Sequence, residues 1–275
     1  MPEDLEWVPP GVDTQTPSIA RVYDYWLGGT HNFRADQDAA RALIALAPNT
    51  RAVMRANRDF LARAVRCLAG QGIRQFLDVG SGIPTQGNVH EIAQQADPAA
   101  RVVYVDIDPV AVAHSRAMLQ GNPGAAVIEA DVCDPQRILG HATVRRLIDF
   151  SQPVGLLMLA VLHFVPDEED PWAVVAAFRD ALPPGSHLVI SHASSDALSP
   201  ETAKTFQSGY NRSVSSRGTL RSRDGVERFF AGFDLLEPGV VAVDEWRPDG
   251  PSPVDAGTIW WLGGAGRKNG EATGA

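Results

Sequence analysis

The chain has 275 residues, of which 44% are hydrophobic and 21% charged, and it carries a formal net charge of -9. That is one large domain or two small ones with enough apolar material for a sizeable core, and its acidic balance, with no tight Lys/Arg cluster, argues against nucleic acid as a partner. No apolar run reaches the roughly 18–20 residues of a membrane helix. The acidic, Pro-rich start is not a signal peptide. Cys67 and Cys133 form neither a disulfide framework nor a metal site, so a reducing cytoplasm is the expected location.

Residues 1–16 show no apolar periodicity and are expected to form a mobile arm. Ser18 reads as a helix N-cap. Ile19, Val22, Tyr23, Trp26 and Leu27 follow at helical spacing, and Gly28-Gly29 ends the run. Further helices are expected over 35–46 and 50–70. Residues 17–70 therefore form a helical cap or lid ahead of a core at 71–263. From Gln75 onward, apolar runs at 75–79, 102–105, 126–128, 154–160 and 187–191 alternate with helical segments at 88–96, 109–119, 171–181 and 201–210. Such alternation implies βαβ units around a mostly parallel sheet. Two runs without an intervening helix, 234–243 and 258–262, read as an antiparallel C-terminal hairpin. The expected fold is α/β and Rossmann-like, with a seven-stranded sheet and a frayed tail at 264–275.

In such sheets the ligand lies at the carboxyl ends of the strands, where strand order reverses. There the first βα turn reads Asp78-Val79-Gly80-Ser81-Gly82. Two glycines let the backbone approach a ligand closely, and the amides that follow can hold an anion. A dinucleotide fingerprint needs Gly or Ala three residues after Gly82, and Thr85 stands there. This weakens a nicotinamide-dinucleotide oxidoreductase reading and favours a cofactor without a pyrophosphate. Asp106 closes the second strand, where a carboxylate accepts from both ribose hydroxyls of an adenosine. Asp108 is better placed to cap the helix opened by Pro109. Asp131 ends the third strand, positioned for an adenine amino group, with the Val132 amide for a ring nitrogen. Any of these acids could instead be a loop carboxylate or a cap. Taken together, they resemble class I S-adenosylmethionine-dependent methyltransferases over residues 75–262.

A closer resemblance lies in Arg21-Val22-Tyr23-Asp24-Tyr25-Trp26-Leu27-Gly28-Gly29 with Asn32-Phe33, Asn57-Arg58 with Phe60-Leu61, the run from Gln75 to Thr85, Leu162-His163-Phe164-Val165-Pro166-Asp167, Pro238-Gly239 and Trp246-Arg247-Pro248. These are similar to the S-adenosyl methyltransferase family of actinobacteria over residues 16–262. The resemblance implies S-adenosyl-L-methionine as cofactor and leaves the methyl acceptor unassigned. Ile107 stands where the family more often carries Asn. Ile107 and Ala160, at the ends of the second and fourth strands, join the expected cofactor contacts.

Asn57 falls in the middle of an apolar helical stripe formed by Val53, Leu61, Ala64 and Leu68, where an unpartnered amide costs roughly 1–3 kcal/mol. Asn57 and the neighbouring Arg58 are expected to face the methionine end of the cofactor. A loop carbonyl for Asn57 and an acid of the core for Arg58 are the alternatives. Arg55, Arg63 and Arg66 are read as pointing to solvent. Tyr25, His31 and Asn32, off the first helix's stripe or past its end, are expected at the site as part of a lid. His163 and His192 follow the fourth and fifth strands and are the candidate bases. No metal constellation is found; Asp167-Glu168-Glu169-Asp170 reads as a solvated helix start. The arginines of 212–228 read as a solvated loop and helix, with the gating of an anionic acceptor as the alternative. The expected activity is in-line methyl transfer to a small molecule. A non-catalytic sensor of the cofactor is the second reading, and the oligomeric state stays open.

Overall fold

A computed structural model describes residues 8–84, 87–196, 199, 201, 203–204, 207–208, 217–250 and 259–270. Three helices come first: α1 (Ile19–Leu27), α2 (Arg34–Leu46) and α3 (Thr50–Gly70). The core then alternates β1 (Gln75–Val79), α4 (Val89–Ala96), β2 (Arg101–Asp106), α5 (Pro109–Met118) and β3 (Ala125–Glu129). It continues through α6 (Pro135–Gly140), α7 (Ala142–Leu147), β4 (Gly155–Leu159), α8 (Pro171–Ala181) and β5 (His187–Ala193). A short α9 (Arg223–Glu227) precedes β6 (Phe233–Leu235), β7 (Val241–Ala242) and β8 (Trp261–Lys268).

β1, β4 and β5 are buried along their whole length, as strands covered on both faces must be. Successive side chains go to opposite faces. Phe76, Val102, Leu157 and Val189 meet the layer built by α1, α2 and α3, whereas Leu77, Val103, Leu156 and Leu188 meet Ile138, Val144, Val174 and Phe178. The strand order is β3-β2-β1-β4-β5-β8-β6, with β7 also pairing β8. β1 to β5 are parallel and β8 is antiparallel to β5. The chain leaves β1 toward β3 on one side and resumes at β4 on the other, so order reverses between β1 and β4. The crevice opens at their carboxyl ends. Among the described residues no helix is long and apolar enough to cross a membrane.

Three boundaries depart from the sequence reading. The expected strand 234–243 is two strands, broken by a turn at Pro238-Gly239, where Gly239 has φ 88. With that break the sheet has eight strands among the described residues, not seven. The tail expected from 264 is the body of β8, and Gly264, Ala265 and Gly266 are buried. The glycines there are a packing requirement. A Cβ at Gly263, Gly264 or Gly266 would come within 2.9 Å of Phe60, Val240 or Phe233 respectively. The arm is narrower than expected. Val8 and Val12 pack with Phe33, Ile83 and Val110, and Arg21 donates to the carbonyls of Asp13 (2.9 Å) and Thr16 (2.8 Å). The helix expected over 201–210 lies largely outside the described residues, as does Thr85.

Arg63 does not point to solvent. It donates to the carbonyls of Val243 and Trp246, tying α3 to the C-terminal segment beside the Phe60–Trp246 edge contact at 5.3 Å. Because β8 bonds to β5, β6 and β7 at once, a chain ending at Gly263 is expected to lose cooperative thermal unfolding altogether. A chain ending at Asn269 should melt like the full-length protein by circular dichroism.

Candidate functional site

The tips of β1 and β2 are stitched together by backbone bonds that glycine makes possible. Gly80 N and Ser81 N both donate to the Val105 carbonyl, at 2.8 and 3.1 Å. Gly82 N donates to Asp106 Oδ2 at 2.6 Å. Gly80 and Gly82 have φ of 77 and 66, the left-handed region open to glycine. A Cβ on Gly80 would lie 2.5 Å from Val161, whereas at Gly82 it would project into open space. Asp106 accepts a second bond from Asp108 N at 2.9 Å, and burial still pushes its carboxyl up to about 6. Asp78, also buried, is pushed up to about 7, with the Arg58 guanidinium partly offsetting the cost of burial.

These tips form the floor of a cavity of about 370 Å³. Its lining includes Asp78, Gly80, Ser81, Gly82, Asp106, Ile107, Asp131, Val132 and Ala160, together with Asn57, Arg58 and His163. Ile107 is 63% exposed, an apolar side chain left open at the mouth. Asp131 stands two residues past β3, with Oδ1 accepting from Cys133 N at 2.9 Å. Ala160 takes a positive φ of 54 where β4 ends. Cys133 also lines the cavity, and burial and the neighbouring Asp131 and Glu169 push its thiol up to about 12.

Asn57 and Arg58 both line this space, and the Arg58 guanidinium also acts on the core acid Asp78. Asn57 Nδ2 donates to Tyr23 Oη at 2.9 Å, and Tyr23 Oη donates to the Met54 carbonyl at 3.3 Å. Arg58 reaches Asn88 Oδ1 at 3.1 Å. Among the described residues that line the cavity, Asn57, Arg58, Ser81 and His163 each carry a fully buried polar atom without a hydrogen-bond partner: Oδ1, Nε, Oγ and Nδ1. Unpartnered buried groups are rare because each costs free energy.

The lid residues are placed differently from expectation. Tyr25 lies under Arg41 and Arg51, His31 rests on His114 at 3.8 Å, and Asn32 donates to Asp24 Oδ2 at 2.8 Å. None of the three lines the cavity. Tyr23 and Trp26, read from the sequence as packing, do line it. The stripe that docks α1 also roofs the site, so the two roles were never exclusive. α1 is held down at the tip of β2. Ser18 Oγ donates to Asp108, whose other oxygen caps α5 at Val110 N (2.8 Å), and Arg21 Nε lies 3.4 Å from Asp36.

His192 is not a base. Its Nδ1 bonds to the Ala193 carbonyl at 2.7 Å and its Nε2 lies 2.8 Å from Arg221 Nη1, which can only donate. Burial and that guanidinium hold the ring neutral, pushed down to about 3. Arg221 is not a solvated arginine. It is 5% exposed and also donates to the carbonyls of Leu162 (3.0 Å) and Val165 (2.8 Å) and to Asp167 Oδ1 (2.6 Å), which fixes the loop carrying His163. No feature of the sequence distinguishes Arg221 from its neighbours. Trp260 and Trp261, also missed, were signalled by a tandem pair at the start of a strand. Among the described residues no group of acids, histidines and cysteines could hold a metal.

A family model described as S-adenosyl methyltransferase matches residues 5–269. The chain belongs to that family. S-adenosyl-L-methionine is accordingly its cofactor, and the glycine cradle with Asp78, Asp106, Asp131 and Arg58 on the cavity wall fits a ligand of that polarity. The methyltransferase is 44% identical to a candidate methyltransferase from Thermobifida fusca YX, covering 96% of this chain and 99% of that one at a TM-score of 0.90. It is 39% identical to a DUF574 family protein from Streptomyces avermitilis MA-4680, covering 93% and 99% at 0.89. An O-methyltransferase family protein from Burkholderia thailandensis shares the fold at 14% identity, covering 82% and 62% at 0.52. No curated protein matches the methyltransferase.

The two glycines separate packing from binding. Gly80→Ala combines left-handed strand-tip strain with a clash against Val161 and should cost roughly 2–5 kcal/mol in urea unfolding. Gly82→Ala carries only the strain, about 1–2 kcal/mol. It should nevertheless weaken S-adenosylmethionine binding at least tenfold by calorimetry, because its methyl enters the cavity.

Proposed function

We propose that this methyltransferase moves a methyl group to a small molecule held under the α1 cap. The carrying observation is one cavity at the β1–β4 switch point whose wall brings together the glycine turn, Asp78, Asp106, Asp131, Asn57, Arg58 and His163 under α1. When bound, the cofactor supplies an electrophilic methyl on a sulfonium. Asp106 accepts from the ribose hydroxyls, for which its two oxygens keep lone pairs beyond those given to Gly82 and Asp108. Ile107 packs on the adenine, and Asp131 and Val132 bond its edge. Arg58 and Ser81 hold the carboxylate of the amino-acid end. Asn57 Oδ1 and Asp78 take its ammonium group. α1 excludes water, and His163 faces the acceptor.

A displacement that removes positive charge needs alignment and a dry site more than strong acid or base chemistry. Burial fits His163 to this: the ring is held well below its ordinary value and stays neutral at physiological pH, so it offers an uncharged nitrogen to the acceptor's proton. A small acceptor and no nucleic acid suit a roofed cavity on an acidic protein. The thiols Cys67 and Cys133 are free, in keeping with a reducing cytoplasm.

Incubation with methyl-labelled cofactor and a metabolite extract should move label into an extractable product. Arg58→Ala should weaken cofactor affinity several-fold by calorimetry. Tight binding with no label moved by the wild type would make the protein a sensor, and an unchanged affinity would remove Arg58 from the site.

The carboxyls of Asp78 (about 7) and Asp106 (about 6) set a pH dependence. Both are raised, so the free protein holds protons there near neutrality. A cationic ligand favours the ionised forms. Binding at pH 6.5 should therefore release on the order of one proton, read by calorimetry in buffers of different ionisation enthalpy. Affinity should rise from pH 5.5 to 8 and then level off; proton uptake would contradict the assignment.

A further inference from the structure

β5 is buried along its whole length, and Ser191 places a hydroxyl within it that has no exposed surface. A hydroxyl in such a place costs free energy unless it is bonded, and an alanine would fill the position without that cost. Ser191 shares its sheet face with Val189 and Ala193, the face turned toward α1, α2 and α3. It pairs with Leu159 of β4 on one side and Gly263 of β8 on the other. It therefore stands behind two members of the cavity wall, Ala160 just past β4 and Trp261 at the start of β8.

Both are held by one oxygen. Ser191 Oγ accepts from Ala160 N at 3.0 Å and from Trp261 Nε1 at 3.3 Å. A hydroxyl has two acceptor lone pairs, and these two bonds use both. Ala160 N also donates to the Ser191 carbonyl at 3.1 Å, so side chain and backbone of Ser191 converge on one N–H. The place matters because Ala160 is strained. Its φ of 54 lies in the left-handed region, which a residue with a Cβ enters only where its surroundings hold it there. The next residue, Val161, presses on the glycine turn: a Cβ on Gly80 would come within 2.5 Å of it. The turn after β4 is thus seated against the turn after β1, and Ser191 bonds it from behind.

We propose that Ser191 is a positioning residue of the transfer site. Through one hydroxyl oxygen it holds the left-handed turn at Ala160 against the glycine cradle and fixes the Trp261 indole beside that turn. It acts through these two residues and sets the spacing between the strand tips, which hold the cofactor, and the β8 wall. This rests on the cofactor reading above.

The test uses the full-length protein with nitrogen-15 in its six indoles, of which Trp261→Phe identifies the Trp261 signal. Ser191→Ala removes the shared oxygen and keeps the backbone bond to Ala160. The Trp261 indole N–H signal should then move by more than its linewidth, and S-adenosylhomocysteine should bind about fivefold more weakly by calorimetry. Ser191→Thr keeps the oxygen and should return the signal toward its wild-type position and recover most of the affinity. A serine that only fills space would change stability in urea without moving this one signal or being rescued by threonine. Cooperative urea unfolding shows that a variant is folded. Where Ser191→Ala does not unfold cooperatively, Ser191→Cys, which fills the site with a weaker acceptor, is read in its place. An unmoved Trp261 signal, an affinity within twofold of the wild type, or a folded threonine variant no better than alanine would each overturn the role of Ser191 and leave the cofactor site standing. Failure of the wild type to bind S-adenosylhomocysteine would instead overturn the cofactor reading, and this one with it.

Discussion

The carboxylate of Asp106 accepts from Gly82 N on one oxygen and from Asp108 N on the other, and three parts of the molecule are registered through it. The first is the glycine turn after β1, which Gly82 ties to the tip of β2. The second is α5, whose first amides are capped by Asp108. The third is the N-terminal cap, because Asp108 also receives Ser18 and lies near Arg21. A buried carboxylate is costly unless it is bonded, and the raised value of Asp106 shows that the cost is not fully met by the protein's own amides. The residue that orders the site is therefore also the one with most to gain from a ligand that adds donors.

That constraint explains why the helical cap is part of the cavity wall and not an appendage. α1 is fixed at its N-terminus to the tip of β2 and at its middle to α3 through Tyr23 and Met54. Held at both points, its inner face lies over the switch point, and the apolar stripe that docks it becomes the roof. On the opposite side β8 supplies the remaining wall. Its glycines let Phe60, Val240 and Phe233 press against the strand, which sets β8 flush beside β5 and brings Trp260 and Trp261 to the crevice. Arg221 does comparable work for the loop after β4, exchanging solvent for two carbonyls, a carboxylate and a ring nitrogen.

Much of this was legible in the residues. The alternation of apolar runs and helical segments set out β1 to β5 and most helices that follow them, because a strand covered on both faces must be continuously apolar. Asp78, Gly80, Gly82, Asp106 and Asp131 were singled out by position, since the carboxyl end of a parallel strand is where ligands meet an open sheet, and all five line the cavity. Asn57 was found by a violation, an amide in an apolar stripe. The misreadings have physical causes too. Gly263 to Gly266 looked like a frayed end because glycine serves both mobility and close packing, and composition alone cannot tell which. Arg63 and Arg221 looked solvated because the carbonyls that receive them are 180 and about 56 residues away in sequence, or belong to loops with no regular pattern. Tyr25, His31 and Asn32 were placed at the site because they lay off a stripe taken as the core, whereas the stripe itself faced both core and cavity.

The sequence by itself determined the strand-and-helix alternation, the glycine turn and the acids at the strand tips, since these depend on local periodicity and on residue chemistry at fixed chain positions. Tertiary structure alone decided which histidine has a free nitrogen. His163 and His192 are equivalent as strand-end residues. Only the arrival of Arg221 from a distant loop occupies His192, whereas the buried Nδ1 of His163, a residue of the cavity wall, is left without a partner.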